Sequence, residues 1–107
     1  MNIETNNAIK CDQAIVHLKH VDDPEIGLNI VDLGLVYALN FDEENKEVQC
    51  TMTLTTTFCP MGESITNNVM SALDMAFPGY DVDVHLVFNP PWGMHLISEE
   101  GREFLGR

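Results

Sequence analysis

Positive charge is scarce in this chain of 107 residues: 5 Lys and Arg stand against 17 Asp and Glu, a formal net charge of −12. Such a field repels phosphate backbones and anionic lipid, which argues against nucleic acid and membrane surfaces as partners. Long apolar runs are missing too; nothing approaches the ~18–20 residues that span a bilayer. The first residues, Met1 to Asn7, lack the basic and apolar regions of a secretory signal, so a cytoplasmic protein is expected. Cysteine is limited to Cys11, Cys50 and Cys59. An odd count at these spacings indicates neither a disulfide framework nor a four-cysteine zinc site. Repeats and low-complexity segments are absent.

What remains is the composition of an ordinary globular protein, 45% hydrophobic and 21% charged. Residues 1–7 are polar and expected to be disordered, and residues 8–107 to form one domain. Ala8, Cys11, Ile15 and Leu18 recur at helical spacing, which predicts a helix over residues 9–20. The Asp22-Asp23-Pro24 step ends it, because proline disfavours helix at the preceding residue. Alternation of Val31, Leu33, Leu35, Tyr37, Leu39 and Phe41 predicts a strand, and residues 42–46 a hairpin loop. Val48, Cys50, Met52 and Leu54 alternate with polar residues in a second strand. Met61, Ile65, Val69, Ala72, Leu73 and Ala76 mark one face of a second helix, stopped by Pro78-Gly79. A third strand follows over residues 80–88, then a rigid Pro90-Pro91-Trp92 corner, and Ser98 is placed to cap a short last helix.

The order α-β-β-α-β-α predicts an α/β (α+β) two-layer sandwich, a small mixed three-stranded sheet with its helices on one face. Thr51, Thr53, Asp81, Asp83 and His85 would lie on the solvent side. A hairpin between the first two strands and a helical crossover to a parallel third strand have a further consequence. They bring Asp23-Pro24-Glu25, Cys59-Pro60 and Pro91-Trp92 to one edge, outside the carboxyl ends of the parallel strands.

Cys59 is the centre of this group. A cysteine at the cap of a helix whose first residue is Pro60 faces unpaired N–H groups and the positive end of the helix dipole. Both favour the thiolate, the form that attacks electrophiles and binds metals. Sulfur is a weak hydrogen-bond acceptor, so Ser, Thr, Asp or Asn would cap better; this poor fit favours a functional reading of Cys59. Blander readings suit the others. Cys50 and Cys11 belong to apolar faces and to the core. Asp23 and Glu25 are ordinary turn acids, and Trp92 is a lid on the core edge. His85 and His95 lack ligand spacing, and Met52, Met61, Met70 and Met75 read as core filling.

These stretches resemble the SufT/PaaD-like family of metal–sulfur cluster assembly factors. The resemblance runs over about residues 8–106. It is carried by Asp23-Pro24-Glu25-Ile26, residues 30–37, Thr53-Leu54-Thr55 followed by Cys59-Pro60, Pro90-Pro91-Trp92, and Ser98 to Arg102. It implies an iron–sulfur-assembly fold and a role in maturing iron–sulfur proteins. In that family Cys59 is the signature reactive cysteine, with Asp23 and Glu25 beside it and Thr55, Pro60, Pro91 and Trp92 in support. Thr57-Phe58 stands where the family often carries Pro or Gly, and a ring there would shield the sulfur. No Cys-rich tail follows residue 107, which fits the general assembly branch better than the phenylacetate-pathway branch.

The implied activity is not that of a catalyst. Cys59 would be a thiolate ligand or transient sulfur contact for iron or an iron–sulfur cluster. Other assembly proteins and client apoproteins would be the partners. A cluster normally takes four ligands, so one sulfur per chain requires a homodimer or borrowed client cysteines. Two further readings stand beside this one: an adaptor that recognises clients with no metal role, and a cysteine-nucleophile enzyme. The last lacks a histidine that the sequence pattern assigns as base.

Overall fold

The computed structural model describes residues 3–24, 26–55 and 62–106. Within them lie four strands and three α-helices: β1 (Glu4–Thr5), α1 (Ala8–Leu18), β2 (Val36–Asp42), β3 (Glu47–Met52), α2 (Gly62–Ala76), β4 (Asp81–Leu86) and α3 (Glu99–Leu105). The mixed α/β class is as the sequence predicts. The sheet has four strands, not three, in the order β1-β2-β3-β4.

The extra strand falls in the terminus expected to be disordered. Glu4 and Thr5 pair parallel with Ala38 and Leu39. Asn6 then locks the end of β2: its Nδ2 donates to the Phe41 carbonyl and its Oδ1 accepts the Phe41 N–H, both at 2.9 Å. Such side-chain-to-backbone bonds are weak signals in a single sequence.

α1 starts where the Asn7 side chain accepts the Lys10 N–H, an N-cap. Its buried face is Cys11, Ala14 and Leu18; Ile15 is half-buried and Ala8 exposed, so the core stripe is turned slightly from the predicted one. α2 buries Ile65, Val69, Ala72 and Leu73 and ends before Gly79, whose φ of 87° suits glycine. Phe77 closes that end, its ring 5.2 Å from Phe41 in an edge-on pair. Met52 fills the core as expected, whereas Met70 and Met75 lie on the outer side of α2, at 39% and 72% exposure. Leu86 and Phe88, predicted on the apolar side of the last strand, are also substantially exposed.

β2 and β3 form the predicted antiparallel hairpin, and β4 runs parallel to β3 with Glu47 opposite Asp81 and Met52 opposite Leu86. β2 itself starts at Val36 and not Val31. Residues 30–34 are turns, although Ile30, Val31, Leu33 and Leu35 are all buried. A buried loop satisfies its backbone internally: Leu33 N–H donates to the Asn29 carbonyl, Gly34 to Val31 and Leu35 to Ile30. Burial of successive turn residues mimics strand alternation, which explains the misplaced boundary. Thr53, predicted at the surface, is wholly buried because its N–H donates to the Leu35 carbonyl and draws the chain inward as it leaves β3.

α1 and α2 pack against each other, and α2 reaches β4. α3 is seated on residues 28–32: a Cβ at Gly101 would crowd Ile97 Cγ2 at 2.8 Å, Leu28 at 3.0 Å and the Asp32 carbonyl at 3.1 Å, so a side chain there would push its neighbours aside. Ser98 caps α3 as predicted, its hydroxyl accepting the Gly101 N–H at 3.0 Å.

Candidate functional site

Residues 21–35 form the frame of the candidate site. Asp22 and Asn29 bridge across a narrow loop, Asp23 N–H donates to the Leu28 carbonyl, and the Asp23 carbonyl accepts from Ile26 and Gly27. Gly27 provides the positive φ that the turn requires. Asp23 is not the solvated turn acid of the bland reading; it is 1% exposed. Burying a carboxyl is costly unless it is paired, and the Asp23 backbone, bonded to Ile26, Gly27 and Leu28, holds the loop's shape.

The Pro90-Pro91-Trp92 corner docks on the far end of this frame. Trp92 Nε1 donates to the Leu33 carbonyl at 2.7 Å, and its half-buried ring packs against the core. The Tyr37 hydroxyl donates to the Pro90 carbonyl at 2.9 Å. Burial pushes the Tyr37 phenol up from its ordinary value, with Thr53 opposing through a side-chain hydrogen bond. Thr53 and Tyr37 thereby tie the exit of β3 to the start of β2, and Thr55 follows half-buried. Val87 N–H donates to the Met52 carbonyl, so the ends of β3 and β4 are level. Among the described residues, then, Tyr37 links Thr53, at the exit of β3, to the 90–92 corner. Pro91 is exposed there. Cys59, Pro60 and Glu25 lie outside the described residues, as does the helix cap inferred for Cys59.

A polar cluster joins residues 29–32 to the start of α3. Asp32 Oδ1 accepts from the Ser98 hydroxyl at 2.7 Å, Oδ2 from Asn29 Nδ2 at 2.6 Å, and the Asp32 carbonyl from Ser98 N–H at 2.8 Å. Asn29 Oδ1 in turn accepts the Asp32 N–H. Burial pushes the Asp32 carboxyl up, but the bonds from Asn29 and Ser98, with the Lys19 charge, outweigh it and hold the pKa below the ordinary value. Asn29 three residues before Asp32 was a visible local signal. The partner 66 residues away was not.

Gly34 fits the same clamp. Its φ is 78°, and a Cβ there would run into the Leu96 carbonyl. Between these strands of chain opens a cavity of about 510 Å³ edged by Tyr37, Gly34, His95 and Glu99.

The sulfur chemistry of the described residues is quiet. Cys11 and Cys50 are free and buried. Burial pushes the Cys50 thiol up to about 12 and raises that of Cys11 as well. Both are inert core thiols at neutral pH, as predicted. Among the described residues no three His, Cys, Asp or Glu side chains gather to hold a metal. His85 pairs with Asp83 at 3.0 Å on the exposed sheet surface, and His95 is exposed. No helix among the described residues is long and apolar enough to cross a membrane.

Residues 12–86 match the family model described as iron–sulfur cluster assembly protein. The Fe-S protein maturation auxiliary factor YitW of Bacillus subtilis is 42% identical over 89 residues, 83% of this chain and 86% of that one. The Fe-S protein maturation auxiliary factor SufT of Staphylococcus aureus is 42% identical over 88 residues, 80% of this chain and 97% of that one. In three dimensions the chain is similar to a domain of unknown function from Bacillus anthracis, with a TM-score of 0.85 at 36% identity over 92% of each chain. The resemblance carried by the sequence motifs thus extends to identity over most of the chain and to the fold, and this chain belongs to the iron–sulfur cluster assembly protein family.

Proposed function

We propose that this protein is a maturation factor that helps deliver or insert iron–sulfur clusters into client apoproteins, with Cys59 as its contact to the cargo. The observation that carries this reading is the 42% identity, over most of the chain, to two relatives named as Fe-S protein maturation auxiliary factors. The state of the other sulfurs supports it: with Cys11 and Cys50 buried and their thiols pushed up, thiolate chemistry falls to the third cysteine. Cluster iron prefers thiolate ligands, and a single thiolate supplies one of the four a cluster normally takes. The cargo is therefore held between two copies of this chain, or between this chain and a client or another assembly protein. In this reading Asp23, Glu25, Thr55, Pro60, Pro91 and Trp92 support the Cys59 contact.

Anaerobic reconstitution with iron and sulfide tests this reading, comparing the wild type with Cys59→Ser by metal analysis and by mass of the assembled chain. Iron bound by the wild type and lost from the variant is expected. Equal, negligible iron in both would sink the carrier role. An adaptor that only recognises clients would then stand, and it makes its own demand: Cys59→Ala leaves client maturation intact while loss of the Trp92 ring abolishes it.

A further inference from the structure

We propose that the free edge of β4 is a docking strand for an extended, cationic segment of a partner protein, in which Lys or Arg alternates with apolar residues. β4 is the last strand of the sheet among the described residues, and its one neighbour there is β3. Asp81 N–H donates to the Lys46 carbonyl, and Val87 N–H donates to the Met52 carbonyl. In a parallel ladder alternate residues turn their backbone groups to the same neighbour. Odd-numbered residues of β4 therefore face β3, and the N–H and C=O groups of Val82, Val84 and Leu86 face outward. A row of such groups is a template for one more strand.

The side chains specify which strand. Asp81, Asp83 and His85 lie exposed on the open face of the sheet, while Val82 and Val84 are half-buried against the core. Asp81 stands opposite Glu47, and Glu47 opposite Asp42, so three carboxylates line up across β2, β3 and β4 and end at the free edge. Like charges directly opposite one another are unfavourable, and strands lie only about 4.8 Å apart. A cation on the next strand would relieve that row. A second copy of β4 would instead add aspartates to it, so the same charges disfavour self-pairing. The complementary segment is scarce in this chain, which holds 5 Lys and Arg in all. On the other side of the strand, Val82, Val84 and the 42%-exposed Leu86 offer an apolar strip to the alternate residues of the incoming segment.

The test uses the full chain and a short synthetic peptide alternating Lys with Val. A second peptide of the same charge has proline at the alternate positions, so it cannot complete the ladder. Backbone-amide hydrogen exchange reads the outcome residue by residue. Slowed exchange at Val82, Val84 and Leu86 is expected with the Lys/Val peptide, with Asp83 and His85 unchanged. The proline peptide should bind about tenfold more weakly, the equivalent of losing one or two net backbone hydrogen bonds. Asp81→Lys with Asp83→Lys should transfer preference to a Glu/Val peptide. Val84→Pro removes an outward donor without touching the bonds to β3, and should weaken the Lys/Val peptide while leaving the circular dichroism spectrum unchanged. Equal affinity for the two cationic peptides would mean diffuse charge attraction and overturn the proposal. So would protection of the same three amides by self-association of the chain alone, which would assign the edge to a second copy.

Discussion

Asp32 shows how a single carboxylate can hold distant parts of this chain together. Its folded pKa is held below the ordinary value, so its contribution to stability is present above the unfolded carboxylate pKa and is lost as pH falls through the folded one. Asp32→Asn should therefore flatten the acid limb of a stability–pH curve below about pH 4 as well as lower stability near neutrality. Denaturant titrations at several pH values would check both effects. Ser98→Ala removes the other half of the bond and part of the helix cap, and should cost ~1–2 kcal/mol. Thiol reactivity is a second test at this scale. In the native state a neutral alkylating agent should modify one cysteine per chain, Cys59, while Cys11 and Cys50 react only on unfolding; peptide mass spectrometry would show the order. Modification of Cys50 in the folded state would contradict its burial and its raised pKa.

At the scale of elements, the test is how the 28–35 segment receives the C-terminal part of the chain. Gly34→Ala meets both a left-handed backbone and the Leu96 carbonyl, whereas Gly79→Ala meets the left-handed backbone alone, with open space around its Cβ. The second should cost ~1–2 kcal/mol and the first clearly more, read as the gap between two denaturant midpoints. Trp92→Phe keeps a ring on the core but loses the bond to Leu33, and should cost ~1 kcal/mol; equal stability would remove that bond from the frame. These elements also show what a sequence reveals. α2, the β2–β3 hairpin and the Ser98 cap were legible because their signals are local: period, turn residues, a capping side chain. The start of β2 was not, since the buried turns at 30–34 repeat the alternation of a strand. β1 was hidden because a two-residue strand has no periodicity, and its anchor, Asn6 on Phe41, is a tertiary contact. The candidate site divides the same way. The 23–25 and 90–92 motifs are local and legible, whereas the Asn29–Asp32–Ser98 clamp needed side-chain geometry across the whole chain.

The whole molecule carries −12 charges, and the Asp42–Glu47–Asp81 row concentrates some of them on one sheet face. Self-repulsion of this kind weakens as salt screens it, with a Debye length of about 8 Å at physiological ionic strength against about 30 Å at 0.01 M. Thermal stability should rise on moving from low to physiological salt. Glu47→Gln, at the middle of the row, should reduce that slope; a melting temperature indifferent to salt would argue that the row is already neutralised. The clamp at Asp32 bears on the order of events when the chain is made. Synthesis releases residues 28–35 long before residues 92–98, so for that interval the Leu33 carbonyl and Asp32 Oδ1 lack their folded-state partners, and Asn29 alone is at hand for the Asp32 carboxylate. Only when Trp92 and Ser98 arrive does the frame close. The 28–35 segment therefore cannot set on its own: its final shape waits on residues that leave the ribosome some sixty positions later.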